Sequence, residues 1–466
     1  MKPHKITLFI ACIIASLGLM SFVFPRDGVK VWGHTLYFPS FHSLVDDDQR
    51  QIEIVEKTVP PEVTHLEDSI LHYRSVVSDG ELRFWLPDSN FFDSFWKTVE
   101  RARDEKRVVR ILHYGDSQIE MDHITSRLRR YMQGHFGGGG PGMMPFNTIT
   151  PTFAVSQSSA GNLIHIASFG DSTVVRSKGN YGPMMQCFRS EGEASVSFRA
   201  SRHKSVDSLI RQFSHIKVVY NSRGGKVSGT LVDVTGNTTK KQTGVKGVGS
   251  MEWRTDAPSQ AVKVKVHGAA DLYCVMVDDG PGVAVDNIPM RGCSGQQFTM
   301  VNKELLTSAY SQMDVGMIIM QFGGNSVPYL KKGRSISDYC KSIGRQIDYV
   351  QKCCPGAKIL FIGPSDMSTR VRGELQTYPC IPDLIDSLIA TAIAHGAAYW
   401  SIYHAMGGEN SMPQWSKRGL AGKDNIHFSQ RGADLMGDKL AEAFDNSYVL
   451  YRLERRRKQY DTEENQ

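Results

Sequence analysis

The chain has 466 residues, 41% apolar and 22% charged, with a formal net charge of +6. This is an ordinary globular composition, long enough for two to three domains and at least one large core. The charge is too mild to argue for nucleic acid, and eight cysteines without a C-x-x-C pair form neither a disulfide-dense scaffold nor a zinc site. One or two disulfides are compatible with the count.

At the N-terminus, Lys2, His4 and Lys5 precede an apolar run from Ile6 to Phe24. Such a run fits a long signal peptide or a single membrane span. Met20-Ser21-Phe22-Val23-Phe24 is a poor cleavage site, which favours an uncleaved anchor over residues 1–26. Either reading sends the rest of the chain across a membrane. Residues 27–80 read as a stalk and lead-in, with a polar stretch from Val45 to Arg50 and a helix-breaking Pro60-Pro61. Pro87-Asp88-Ser89 can cap an amphipathic run carrying Phe92, Phe95, Trp96 and Val99, whose spacing suits core packing.

Val108 to His113 reads as a buried strand running into Gly115-Asp116-Ser117, with a helix expected after it through Ile124, Leu128 and Tyr131. Further strands are expected at Val315 to Gln321, Lys358 to Ile362 and Ala397 to Ile402. Helical stripes alternate with them: Tyr339, Ile343, Ile347 and Val350, then Leu384, Leu388, Ala392 and Ile393. Ser429 can cap a last helix with Met436, Leu440 and Phe444. This alternation predicts an α/β domain with a parallel sheet, in two parts over 81–150 and 281–450.

Between them, over 151–280, the helical stripe gives way to short alternating runs: Ala194 to Ala200, Ile216 to Tyr220, Lys226 to Val234 and Ala261 to Val266. That pattern predicts an inserted all-β sandwich. The glycine run Gly137 to Gly142 at its entry lacks the Lys-Ser/Thr of a phosphate loop and reads as a loop or hinge. Residues 451–466 read as a polar tail, and Arg455 to Lys458 as a solvated helix end.

Gly-Asp-Ser alone matches by chance, so its placement at a strand end carries the weight. In an open α/β sheet, sites form beyond the carboxyl ends of the strands. A serine nucleophile needs a histidine base oriented by a carboxylate. Asp424-Asn425-Ile426-His427, after the last expected strand, supplies both in one turn. Arg291-Gly292-Cys293-Ser294-Gly295 follows a short strand around Val283 to Val285, and Gly323-Gly324-Asn325 follows Val315 to Gln321. Glycine admits close approach of a backbone N–H, and an asparagine amide can donate to an oxyanion. Four motifs thus follow four different strands.

Those four motifs resemble blocks I, II, III and V of the SGNH (GDSL-type) hydrolase superfamily, over about 105–150 and 285–450. The resemblance implies a flavodoxin-like three-layer fold with Ser117 as nucleophile, His427 as base and Asp424 as its orienting acid. It implies an oxyanion hole from the Ser117 and Gly295 N–H groups and the Asn325 side chain, with no metal or cofactor. Gln118 stands where leucine is usual, which tunes local packing. The insert, jelly-roll-like, makes the architecture similar to bacterial peptidoglycan O-acetylesterases that carry a carbohydrate-binding β-domain. The implied activity is removal of O-acetyl groups from a cell-envelope polysaccharide, peptidoglycan first, on the periplasmic side of the inner membrane. A polysaccharide O-acetyltransferase with the same triad, and a non-catalytic glycan-binding protein, are the alternatives. In the insert, Tyr181, Tyr220 and Trp253 could stack on sugars, although core packing suits each better. His113, Glu120, Asp122 and His123 near Ser117 read as satisfied local partners.

Overall fold

The computed structural model describes residues 29–31, 34–36 and 63–463, apart from 151, 172–173, 204–205, 234–238 and 331–334. The chain divides into a unit over Met1–Val59 and a unit over Pro60–Gln466. Of the first unit, the described part is one antiparallel hairpin, Val29–Val31 with His34–Leu36. The expected membrane anchor lies outside the described residues. Among those described, no helix is long and apolar enough to cross a membrane.

In the second unit a six-stranded sheet holds β1 (Phe84–Trp85), β2 (Val108–Gly115), β3 (Gly282–Pro289), β4 (Asp314–Gln321), β5 (Lys358–Ile362) and β6 (Ala398–Trp400). Its spatial order is β3-β2-β4-β5-β6-β1, with only β1 antiparallel. The five parallel strands, counted among themselves, run 2-1-3-4-5, the flavodoxin-like order. Helices Lys303–Tyr310, Ile336–Cys353 and Ile381–Ala394 send residues such as Leu306, Ile347 and Leu388 into one core. Helices Val63–Ser78, Asp93–Arg101, Thr125–Phe136 and Gln430–Glu463 form a second group, in which Trp96 meets both Phe136 and Phe444.

Two of these helices depart from the sequence expectation. Val63–Ser78 was expected to be lead-in, yet it buries Leu66, Ile70 and Val77. The last helix continues to Glu463 and takes in most of the expected polar tail. Leu453 is buried, and charged residues of the tail pair with the other helices: Arg74 with Glu454, Arg455 with Glu100, and Arg457 with Glu67.

The insert consists of two antiparallel sheets. One is the five-stranded sheet of Val155–Gly161, Glu193–Ala200, Ser228–Asp233, Thr239–Thr243 and Ala261–His267. The other has Phe213–Ser222 and Ala270–Asp278 at its centre. Phe146, Phe188, Phe198, Phe213 and Trp253 fill the space between the sheets. The second sheet is covered on its other face too: Ile166, Cys187, Val219, Tyr273 and Met276 belong to the same core as Leu306, Ile347 and Leu388 of the α/β part. This explains why Ala270–Asp278 shows no alternation: every residue of it is buried.

The seam between the two parts is polar at one point. Arg110 of β2 donates to Asp278 of the insert at 2.7 Å and to Asp286 of β3 at 2.6 Å, all three fully buried. Burial opposes the Arg110 charge, and Asp278 and Asp286 more than offset it. The glycine run is part of this seam and does not read as a hinge in the structure. Gly138, Gly140 and Gly142 sit at φ +90°, +81° and +83°. A Cβ there would come within 2.6 Å of the Val283 carbonyl oxygen, 2.4 Å of the Val277 carbonyl oxygen or 2.3 Å of Asp286. Glycine lets two backbones pass at contact distance.

The seven described cysteines are free, and most are buried. Cys12 lies outside the described residues.

Candidate active site

β2 ends at Gly115, and Asp116 begins a tight turn, its carboxylate accepting from the Gln118 N–H at 3.0 Å. Ser117 opens a single 3-10 turn, Ser117–Ile119, and is half-buried. The helix expected after it, with Leu128 and Tyr131, runs Thr125–Phe136. Met121, Asp122 and Ile124 adopt positive φ, so the connection is an irregular loop that periodicity could not reveal.

The structure brings the three expected residues into one line. Ser117 Oγ lies 2.9 Å from His427 Nε2, and His427 Nδ1 lies 2.8 Å from Asp424 Oδ2. The other Asp424 oxygen accepts from the backbone N–H groups of Ile426 and His427, at 3.1 and 3.2 Å. Asn425 at φ +54° closes this turn. One carboxylate therefore shapes the loop and orients the imidazole. Partial burial pushes the Asp424 carboxyl up, but the His427 hydrogen bond and the two backbone N–H groups outweigh it and leave it below the usual range. An ionised acceptor at Asp424 places the imidazole proton on Nδ1, which leaves Nε2 to accept from the Ser117 hydroxyl.

Gln118, read from the sequence as tuning local packing, is tied to the His427 loop. Its Nε2 donates to the Ile426 carbonyl at 2.8 Å, and its Oε1 accepts from the Phe428 N–H at 3.2 Å. It grips the backbone on both sides of His427. The sequence signal was the departure from leucine: a polar side chain beside Ser117 needs a partner when half-buried.

Gly295 and Asn325 converge on the same strand ends. Gly295 sits at φ +83°, and a Cβ there would lie 2.9 Å from the Phe322 side chain just beyond β4. Asn325 Nδ2 donates to Asp116 Oδ2 and to the Cys293 carbonyl, each at 3.1 Å. Both amide hydrogens are thus directed inward, so donation to a bound oxyanion requires one of these bonds to yield. Burial pushes the Asp116 carboxyl up to about 6, against the Gln118 N–H, His427 and the Asn325 amide, which pull it down.

The neighbouring polar residues all have partners. His113 is buried between Gln321 and Thr125, and burial lowers its pKa to about 4, so it is neutral. Glu120 takes a two-pronged hydrogen bond from Arg291, Asp122 one from Arg129, and His123 meets Gln430. Tyr181, Tyr220 and Trp253 are at most 2% exposed and belong to cores.

Beside Ser117 and His427 opens a cavity of about 260 Å³, lined further by Asn325, Tyr329, Met367 and Ile402. It lies beyond the carboxyl ends of β2 and β4, where the strand order of the sheet reverses, the place where open α/β sheets bind ligands.

No family model matches the chain, and no curated protein matches it. Among solved structures it is similar to a peptidoglycan O-acetylesterase, with a TM-score of 0.64 and 20% identity over 79% of this chain and 99% of that one. At that identity the likeness is one of fold. A family two carbohydrate esterase from Clostridium thermocellum matches more distantly, with a TM-score of 0.27 and 10% identity over 62% of this chain and 100% of that one.

Proposed function

We propose that the protein is a serine esterase that removes O-acetyl groups from a cell-envelope polysaccharide, with peptidoglycan the favoured substrate. The observation that carries the reading is the continuous hydrogen-bonded line Ser117–His427–Asp424 opening on a cavity. Ser117 Oγ attacks the acetyl carbonyl while His427 Nε2 takes its proton. The Ser117 and Gly295 N–H groups receive the oxyanion, with the Asn325 amide once it gives up one of its inward bonds. On collapse His427 protonates the departing sugar oxygen and leaves an acetyl-serine. Water then attacks that ester, giving its proton to His427; the bond to Ser117 Oγ breaks, His427 returns the proton to that oxygen, and acetate leaves. The shared fold with a peptidoglycan O-acetylesterase supports the choice of glycan. The apolar N-terminal run supports a site on the periplasmic side of the inner membrane. Acetate released from O-acetylated peptidoglycan tests the reading. Wild type should release it and Ser117→Ala should not; equal release by both would overturn the mechanism.

A further inference from the structure

Tyr181, Tyr220 and Trp253 of the insert are buried in cores, as their packing role requires, so an aromatic contact to a glycan has to come from elsewhere. Among the large apolar side chains that the described residues leave exposed, one is aromatic: Tyr329, 60% exposed. It lines the same cavity as Ser117 and His427. It belongs to the one-turn helix Val327–Leu330, directly after the turn that carries Asn325. Val327 and Leu330 of that helix are buried, so the turn is anchored in the core while Tyr329 remains at the surface. An exposed ring on an anchored turn is already in place for a flat partner and loses little freedom on binding. The apolar C–H face of a pyranose is such a partner.

We infer that Tyr329 is the sugar platform of this active site, stacking on the pyranose ring whose acetyl ester reaches Ser117. The inference rests on the carbohydrate esterase reading and adds where the ring is held. The hydrolase domain, not the insert, then makes the closest aromatic contact with the acetylated sugar. KM and kcat on O-acetylated peptidoglycan, and on ethyl acetate, test it with Tyr329→Ala, Tyr329→Phe and Tyr329→Trp. Tyr329→Ala should raise KM for the glycan about tenfold, the equivalent of roughly 1.4 kcal/mol of aromatic contact. Phe and Trp, which keep a ring, should stay within about threefold of wild type on the scale of such contacts. The loss on ethyl acetate, which offers no ring, should be much smaller than on the glycan. If wild type cleaves the glycan but Tyr329→Ala matches it, or loses both esters equally, the platform is wrong and the esterase reading stands. If wild type cleaves ethyl acetate but not the glycan, the carbohydrate reading fails and takes the platform with it.

Discussion

The seam and the strand ends use polar groups in opposite ways. At the seam, Arg110, Asp278 and Asp286 are closed on one another and out of water. Beyond β2 and β4, Ser117, His427 and Asp424 are equally well paired but half-open, with a cavity beside them. The first arrangement holds two parts of the molecule together. The second leaves a hydroxyl and a proton acceptor within reach of a ligand. A hydrogen-bonded polar cluster is thus not itself evidence of a site; access is what separates the two.

The largest effect that would sharpen this contrast is on turnover. Ser117→Ala should cost at least about 10⁴-fold in kcat/KM for acetyl ester hydrolysis, with thermal stability unchanged. Arg110→Leu should do the reverse. It strands two buried carboxylates and should cost about 3–5 kcal/mol of folding stability in denaturant titration. A loss under about 1 kcal/mol would mean that the seam relaxes without its arginine.

A third effect depends on pH. A carboxyl raised from 3.8 to about 6 implies that ionising buried Asp116 costs the fold roughly 3 kcal/mol. Its pKa is raised on folding, so its stability contribution is full below pH 4 and is lost as pH rises through about 6. The stability of Asp116→Asn relative to wild type should therefore improve between pH 4 and pH 8; a flat difference would contradict the burial argument. The smallest effect is on Gln118. Gln118→Leu removes both clamps on the His427 loop and should lower kcat about tenfold, with KM and melting temperature little changed. An unaltered kcat would show that Asp424 shapes the loop alone.

How far the sequence reveals these features follows from their range. The parallel strands and the turns after them are local patterns, so β2, β4 and the Asp424 to His427 turn could be read directly. The seam could not be. Asp278 and Asp286 look like ordinary charged residues until Arg110, far away in sequence, is placed between them. The glycine run read as a loop or hinge, and it is a loop, but a list of residues does not show the backbones packed against it. The polar tail continues a helix because Glu100, Glu67 and Arg74 on distant segments meet its charges. Gln118 was visible as a departure from leucine, but its partners lie on a loop that only the fold brings near.

The central claim is that Ser117 is a nucleophile made reactive by His427. Labelling with a fluorophosphonate, followed by mass spectrometry of the digested protein, tests it most directly. The account predicts one phosphonyl group on the peptide carrying Ser117, with labelling slowed drastically in His427→Ala. Acetyl ester hydrolysis that persists while Ser117 stays unlabelled would contradict it.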